Sequence, residues 1–333
     1  MFRTTTLAAL VSAVAALAVF GTDAGAQQRK FTFAYDQPKS TGYGIAGDLF
    51  DAKLKELSGG RFSIDQFPGA QLGQEPVALL KIRSGDIDFA ITSTANSSTV
   101  APQAGVFSLH FIFRDEKHLT TVLGDPAVTA AFREMIAESV QGGRILALMT
   151  LGLRNIYSKK EVKSVDDLKG VKIRVQATKT EDTHFPAYGT QTVHMPFGDV
   201  YTSLQTGVVN AAENGVNVYL ANKHYEVAPV LSMTQHEANN SVIWVSDKVW
   251  NSLNDQEKGW VQAAATYVGQ NQPARALALE TESAERLKKI GVKVVDGVDK
   301  SGFIKAAEPI QDSLAKELGP HAVKILGMVR AIK

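Results

Sequence analysis

The sequence predicts an α/β fold in two lobes, with a cleft between them and one long helix crossing both. Three observations carry this. Short β-rich runs alternate with helical runs in a βαβαβ order, which argues for a mostly parallel sheet with helices on both faces. A unit of helix, glycine and strand occurs twice, as ALLKIRSGDIDFAI and YTSLQTGVVNAA, as expected of two similar α/β halves. A helical stretch over 254–289 would span about 50 Å at ~1.5 Å per residue, more than one lobe's width.

The elements follow in order. Phe31–Tyr35 (FTFAY) is a β-rich run. Over Ser40–Leu57, Ile45, Leu49, Phe50, Leu54 and Leu57 recur at helical spacing and stop at Gly59-Gly60. Phe62–Phe67 alternates as a strand does, Gln74–Ser84 is helical and closed by Gly85, and Ile87–Ile91 returns to strand. Ile145–Leu151 opens a second block as a strand. Ser164–Gly170 forms one capped helical turn with a glycine stop. Val171–Val175 is a strand, Phe197–Thr206 a helix closed by Gly207, and Val208–Ala212 another strand. Asn254 with Glu257 makes a capping box for the long helix, which is expected to kink at Gly269 and Pro273.

The amino terminus places Arg3 before an apolar run, Leu7–Phe20, with Ala24 and Ala26 ahead of Gln27. This is the pattern of a cleavable secretory leader over residues 1–26, and the run is short for a bilayer span. Residues 27–150 then belong mainly to the first lobe and 151–240 mainly to the second. Residues 241–333 return to both. Of the 333 residues none is cysteine, which excludes disulfides and thiol chemistry. A formal net charge of +1 gives no nucleic-acid footprint. No G-x-S-x-G elbow and no H-E-x-x-H is present, so nothing points to a hydrolase. No cluster of His, Asp or Glu in the sequence demands a metal, and no cofactor is implied.

The stretch Leu168–Asn214 contains LKGVKIRV followed by MPFGDVYTSLQTGVVNAAEN. It resembles the signature of the solute-binding proteins of TRAP transporters, close to LKGxKIRV…PxxExYxALQxGVVDGxEN. Gly69–Glu75, Lys81–Phe89 and Gly152-Leu153-Arg154 are also similar to that family, so the resemblance covers nearly the whole chain after the leader. Three departures stand out. Asn210-Ala211-Ala212 replaces the usual Asp-Gly context, Asp199 replaces a common Glu, and Gly215–Tyr219 has no proline. The resemblance implies a bilobed periplasmic binding protein that captures a small organic acid. Delivery to the small and large membrane subunits of the transporter then follows. An alternative is presentation of the ligand to a sensor kinase.

Candidate ligand-binding residues follow. The resemblance makes Arg174 the clamp for a ligand carboxylate. The guanidinium fork suits that role, and strand alternation separates Arg174 from Ile173 and Val175. Arg154 is either a second contact or half of an ion pair. Asn214 offers two donors and an acceptor, or serves a turn before Gly215. Phe197 packs against a carbon skeleton or staples a helix entry. In the other lobe Glu75 accepts from ligand hydroxyls or sits at a helix N-terminus for its dipole. Gln37, Ser93 and Asn96 lie in amide- and hydroxyl-rich loops suited to a polyol. His236, in TQHEANN, either lines the cleft near the hinge or is a loop histidine. The acceptor at Glu75 favours a sugar acid such as a uronate or aldonate over a C4-dicarboxylate or an aromatic or 2-oxo acid.

Overall fold

The computed structural model describes residues 28–333, so the leader segment lies outside the described residues. β1 (Arg29–Ala34), α1 (Gly42–Ser58), β2 (Phe62–Phe67), α2 (Glu75–Ser84) and β3 (Phe89–Ser93) form the first βαβαβ run. α1 and α2 stop where Gly59 and Gly85 turn left-handed, at φ 60° and 78°. α3 (Thr94–Ser97), a 3₁₀ segment (Pro102–Ser108), α4 (Glu116–Gly124) and α5 (Pro126–Ser139) follow. Asp115 and Asp125 cap the last two through backbone N–H donors.

The second block holds β4 (Gly143–Ser158), β5 (Lys172–Val175), α6 (Lys179–Ala187), β6 (Gln191–His194), α7 (Val200–Thr206), β7 (Ala211–Asn214) and α8 (Val216–Ala221). The capped turn over 164–170 is a short 3₁₀ segment with Ser164 and Asp167 as its capping box. The chain closes with β8 (Val230–Ser246), α9 (Asp247–Ser252), α10 (Asp255–Lys289), β9 (Lys293–Val295), α11 (Ser301–Leu318) and α12 (Pro320–Ala331).

The strands join in the order β2-β1-β3-β8-β4-β7-β5-β6, with β9 on β8. β1, β2 and β3 are mutually parallel, as are β5, β6 and β7. Two long antiparallel strands, β4 of 16 residues and β8 of 17, connect these groups. Gly143–Thr150 pairs with Asn240–Ser246, and Leu153–Ser158 with Val230–Ala238. The register slips between Thr150 and Leu153, where Gly152 takes φ 98°. This irregularity lies between the two halves of a bilobed α/β fold.

Each half buries apolar side chains on both sheet faces. In the first, neighbouring Ile243 and Trp244 enter different clusters, with Phe33 and Phe89 on one side and Phe107 and Phe132 on the other. In the second, Ile156 and Tyr157 divide in the same way. α10 joins both halves through Val261, Ala264 and Val268 at one end and Leu287 at the other. Two buried polar anchors hold it beside Gly152. Gln272 donates to Gly42 O and Thr150 O at 3.1 and 2.7 Å. Glu280 accepts from the Val216 and Asn217 N–H groups, both at 2.6 Å.

Four local expectations are revised. β3 begins at Phe89 rather than Ile87. β7 spans Ala211–Asn214, not 208–212, because Val208 follows the Gly207 turn into solvent and the ladder with β4 starts at Ala211. The strand over 145–151 runs on to Ser158. TQHEANN is not a loop but the middle of β8. Apart from these four, α10 stays one helix over Asp255–Lys289 with Pro273 inside it.

Candidate functional site

The cleft is lined where strands end. Asp36 and Gln37 follow β1, Ser93 ends β3, Gln176 follows β5 and Asn214 ends β7. Such carboxyl ends are where α/β sheets place ligands. Tyr43, Glu75, Asn96, Leu151, Arg154, Arg174, Phe197 and Asn239 complete the wall.

One side is organised around Glu75, the first residue of α2. Tyr43 Oη donates to Glu75 Oε1 at 3.1 Å. Oε2 accepts from Ser93 N at 3.0 Å, Ser93 Oγ at 2.8 Å and Asn96 Nδ2 at 2.7 Å. Gln176, from the far half, donates to Ser93 Oγ at 3.0 Å and bridges the cleft. Gln37 donates to Asp36 and accepts from Asn222, both at 3.1 Å. Burial and the nearby Glu75 push the Asp36 carboxyl well above its ordinary value, against the pull of Gln37 and Arg174.

The other side carries two buried arginines held differently. Arg174 leaves β5 with Nε and Nη2 both donating to Met195 O, at 3.2 and 2.9 Å. Its Nη1 has no partner among the described residues. The Phe197 ring centroid lies 5.8 Å from its guanidinium carbon. Burial lowers its proton affinity, yet a guanidinium remains charged. Arg154 grips Glu213 with Nε and Nη2, the latter at 2.6 Å from Oε1, and approaches Glu237 at 3.3 Å. Burial alone would raise the Glu213 carboxyl, but Arg154 outweighs it and holds the group down at about 2.

Of the predicted residues, the structure brings Arg174, Arg154, Asn214, Phe197, Glu75, Gln37, Ser93 and Asn96 to this one cavity. Asn214 makes the turn contact from a place on the cavity wall. Its Oδ1 accepts from Gly215 N and Asn239 Nδ2 at 2.9 and 2.7 Å, which leaves its amide donors for the cleft. His236 does not line the cavity. It is fully buried in β8 behind Glu213, with Nδ1 2.8 Å from Thr234 Oγ1. The sequence reading missed Asp36, Tyr43, Gln176 and Asn239. Asp36 and Gln176 had a usable signal, since they lie two residues and one residue past a strand end. Tyr43 and Asn239 had none, because their places depend on packing across the sheet.

The cavity is narrow, about 20 Å³, close to the room one water needs. A second cavity of about 280 Å³ shares Asp36, Glu75, Asn96, Arg174, Gln176 and Phe197 with it, and extends past His194 and Met195.

Residues 33–318 match the bacterial extracellular solute-binding protein family 7, DctP. The chain belongs to that family. Like its family, it is a TRAP-type solute-binding protein. A solute-binding protein of Chromohalobacter salexigens is 31% identical over 283 residues, 84% of this chain and 83% of the relative. A TRAP periplasmic solute-binding protein of Xanthobacter autotrophicus, solved with β-D-galacturonate bound, superposes with TM-score 0.84 at 29% identity. That match covers 91% of this chain and all of the other. One of Polaromonas, bound to D-erythronate, gives TM-score 0.85 at 27% identity over 92% of this chain and 99% of its own. No described helix of this DctP-family chain is long and apolar enough to cross a membrane.

Proposed function

We propose that this protein captures a sugar acid, of the uronate or aldonate class, in the periplasm and passes it to TRAP membrane subunits. The observation that carries the reading is the pairing of the two cleft walls. Arg174 is anchored by one carbonyl while Nη1 has no partner among the described residues, which suits an incoming carboxylate. Opposite it, Asp36 and Asn96 lie beside Glu75 with groups suited to hydroxyls, and Gln176 reaches across from the Arg174 side to Ser93. Relatives solved with β-D-galacturonate and D-erythronate support this class. Arg154 acts mainly by holding Glu213 and contributes its remaining donor, Nη1. Asn214 donates from its amide and Phe197 covers the carbon skeleton.

A six-carbon acid needs far more room than the narrow cavity gives, so the walls must part for entry. We place that motion at Gly152, where β4 loses its register with β8 and where α10 is anchored on both sides. Contacts from both lobes would then favour the closed state over the open one.

The test is calorimetric binding of D-galacturonate, D-galactonate, D-galactose and a C4-dicarboxylate to the purified protein. The two acids should bind and neutral galactose should not. Arg174→Ala should weaken acid binding about thirtyfold or more, the ~2–5 kcal/mol expected for truncating one side of a buried charge pair. Binding of the dicarboxylate alone would retain the carboxylate clamp and remove the sugar-acid reading.

A further inference from the structure

We propose that His110, His236 and Glu237, with Glu181 beside them, form a buried site for a divalent transition-metal ion, separate from the ligand cleft. None of the four lines the cavity described above. They converge from three places: the segment after the 3₁₀ turn at 102–108, strand β8 and helix α6.

The spacing suits coordination. One ligand atom from each of His110, His236 and Glu237 lies within 4.8 Å of the others. His110 Nε2 is 3.5 Å from Glu181 Oε2. Ligands bound at ~2.0–2.2 Å in a tetrahedron sit roughly 3.3–3.6 Å apart, so modest closure completes the shell.

Both imidazole rings are also held in orientation. His110 Nδ1 lies 2.8 Å from Tyr188 Oη, and His236 Nδ1 2.8 Å from Thr234 Oγ1. Each hydroxyl fixes its ring so that Nε2 faces the cluster, as metal-bound histidines are held. Among the described residues those two Nε2 atoms, both Glu181 oxygens and Glu237 Oε2 are buried without a hydrogen-bond partner, save that Glu181 and Glu237 lie close enough to share a proton. All four residues are at most 3% exposed. So many buried polar atoms without partners in one place call for an occupant.

Charge points to a cation. Glu181, Glu213 and Glu237 face the single guanidinium of Arg154, already committed to Glu213, and neutral imidazoles. Three carboxylates against one cation leave two negative charges, which one divalent ion would balance. Burial favours the neutral form of both imidazoles, which offers a lone pair to a metal. Two protons are the competing occupants. Imidazole with carboxylate suits Zn²⁺, Co²⁺, Ni²⁺, Fe²⁺ or Mn²⁺. Because the site is closed, the ion enters as the chain folds.

The experiment refolds the purified protein from denaturant with Zn²⁺, or with a chelator, then desalts it and measures metal content and thermal midpoint. About one Zn²⁺ per chain and a midpoint several degrees higher are expected with the metal. Co²⁺ loading should give the visible absorption of a low-symmetry site with nitrogen ligands. His110→Gln and Glu181→Gln, checked for cooperative unfolding, should each lose the stoichiometric metal and the Co²⁺ bands. Substoichiometric metal after refolding with each of the five ions would overturn the proposal and leave the carboxyls protonated. Metal retained equally in both variants would also overturn it, since the ion would then sit elsewhere on the surface.

Discussion

The two arginines of the cleft are similarly buried and differently employed. Arg154 spends Nε and Nη2 on the Glu213 carboxylate, with Glu237 close behind. Arg174 makes its hydrogen bonds to a carbonyl, Met195 O, and to no carboxylate among the described residues. One guanidinium is therefore balanced within the protein, while the other keeps its charge for something that arrives later. Burial of an arginine is not by itself a sign of ligand recognition. The charge of its protein partner decides which role the residue takes.

The largest effect that follows concerns Arg154. Arg154→Met removes the cation paired with Glu213 and strands that fully buried carboxylate. The expected cost is ~3–5 kcal/mol of stability. For a chain of this size that is a fall in thermal midpoint on the order of 10 °C. Arg174→Ala should move the midpoint much less while losing acid binding. If Arg154→Met unfolds with the native midpoint and Arg174→Ala does not, the division of roles is reversed.

The same contrast explains what could be read from the sequence. Arg174 was legible because a short alternating strand, VKIRV, fixes its side, and the resemblance supplies its role. Arg154 kept two readings open because its partner, Glu213, is 59 residues away in the chain. β1, α1, β2, α2 and α10 were legible from local chemistry: hydrophobic period, glycine stops and the Asn254 capping box. The long strands β4 and β8 were not. Arg154, Asn155, His236, Glu237, Asn239 and Asn240 interrupt their apolar runs, and polar residues in a row read as a loop. Several of them are strand residues because they find buried partners far away in the chain, as Arg154 does with Glu213, Asn155 with Gln235 N, Asn239 with Asn214 and Asn240 with Phe107 O, which spacing along the chain cannot show. His236 and His110 meet for the same reason.

A middle-sized effect is expected at Glu75. Its Oε2 accepts three hydrogen bonds, and Ser93, one of the donors, also receives Gln176 from across the cleft. Glu75→Gln retains an oxygen for those donors and loses the charge that strengthens them. Stability should drop by ~1–2 kcal/mol, read as a midpoint lower by a few degrees. Acid binding should weaken because the Ser93 loop holds its place less firmly. An unchanged midpoint would mean that the network around Glu75 forms only with ligand.

The smallest effect separates the two carboxylates on that wall. Glu75 is surrounded by donors, whereas Asp36 has Gln37 as its side-chain donor and lies in the field of Arg174. Asp36→Asn keeps an acceptor for Gln37 and for a ligand hydroxyl, so galacturonate affinity should stay within about threefold, under ~0.7 kcal/mol. An aldarate, which carries a second carboxylate, should gain up to about tenfold, because a like charge has left the wall. Calorimetry of both ligands on the variant and the parent reads the difference directly. An equal change for the two would show that Asp36 does not sense the far end of the ligand, and discrimination against diacids would then rest on Glu75.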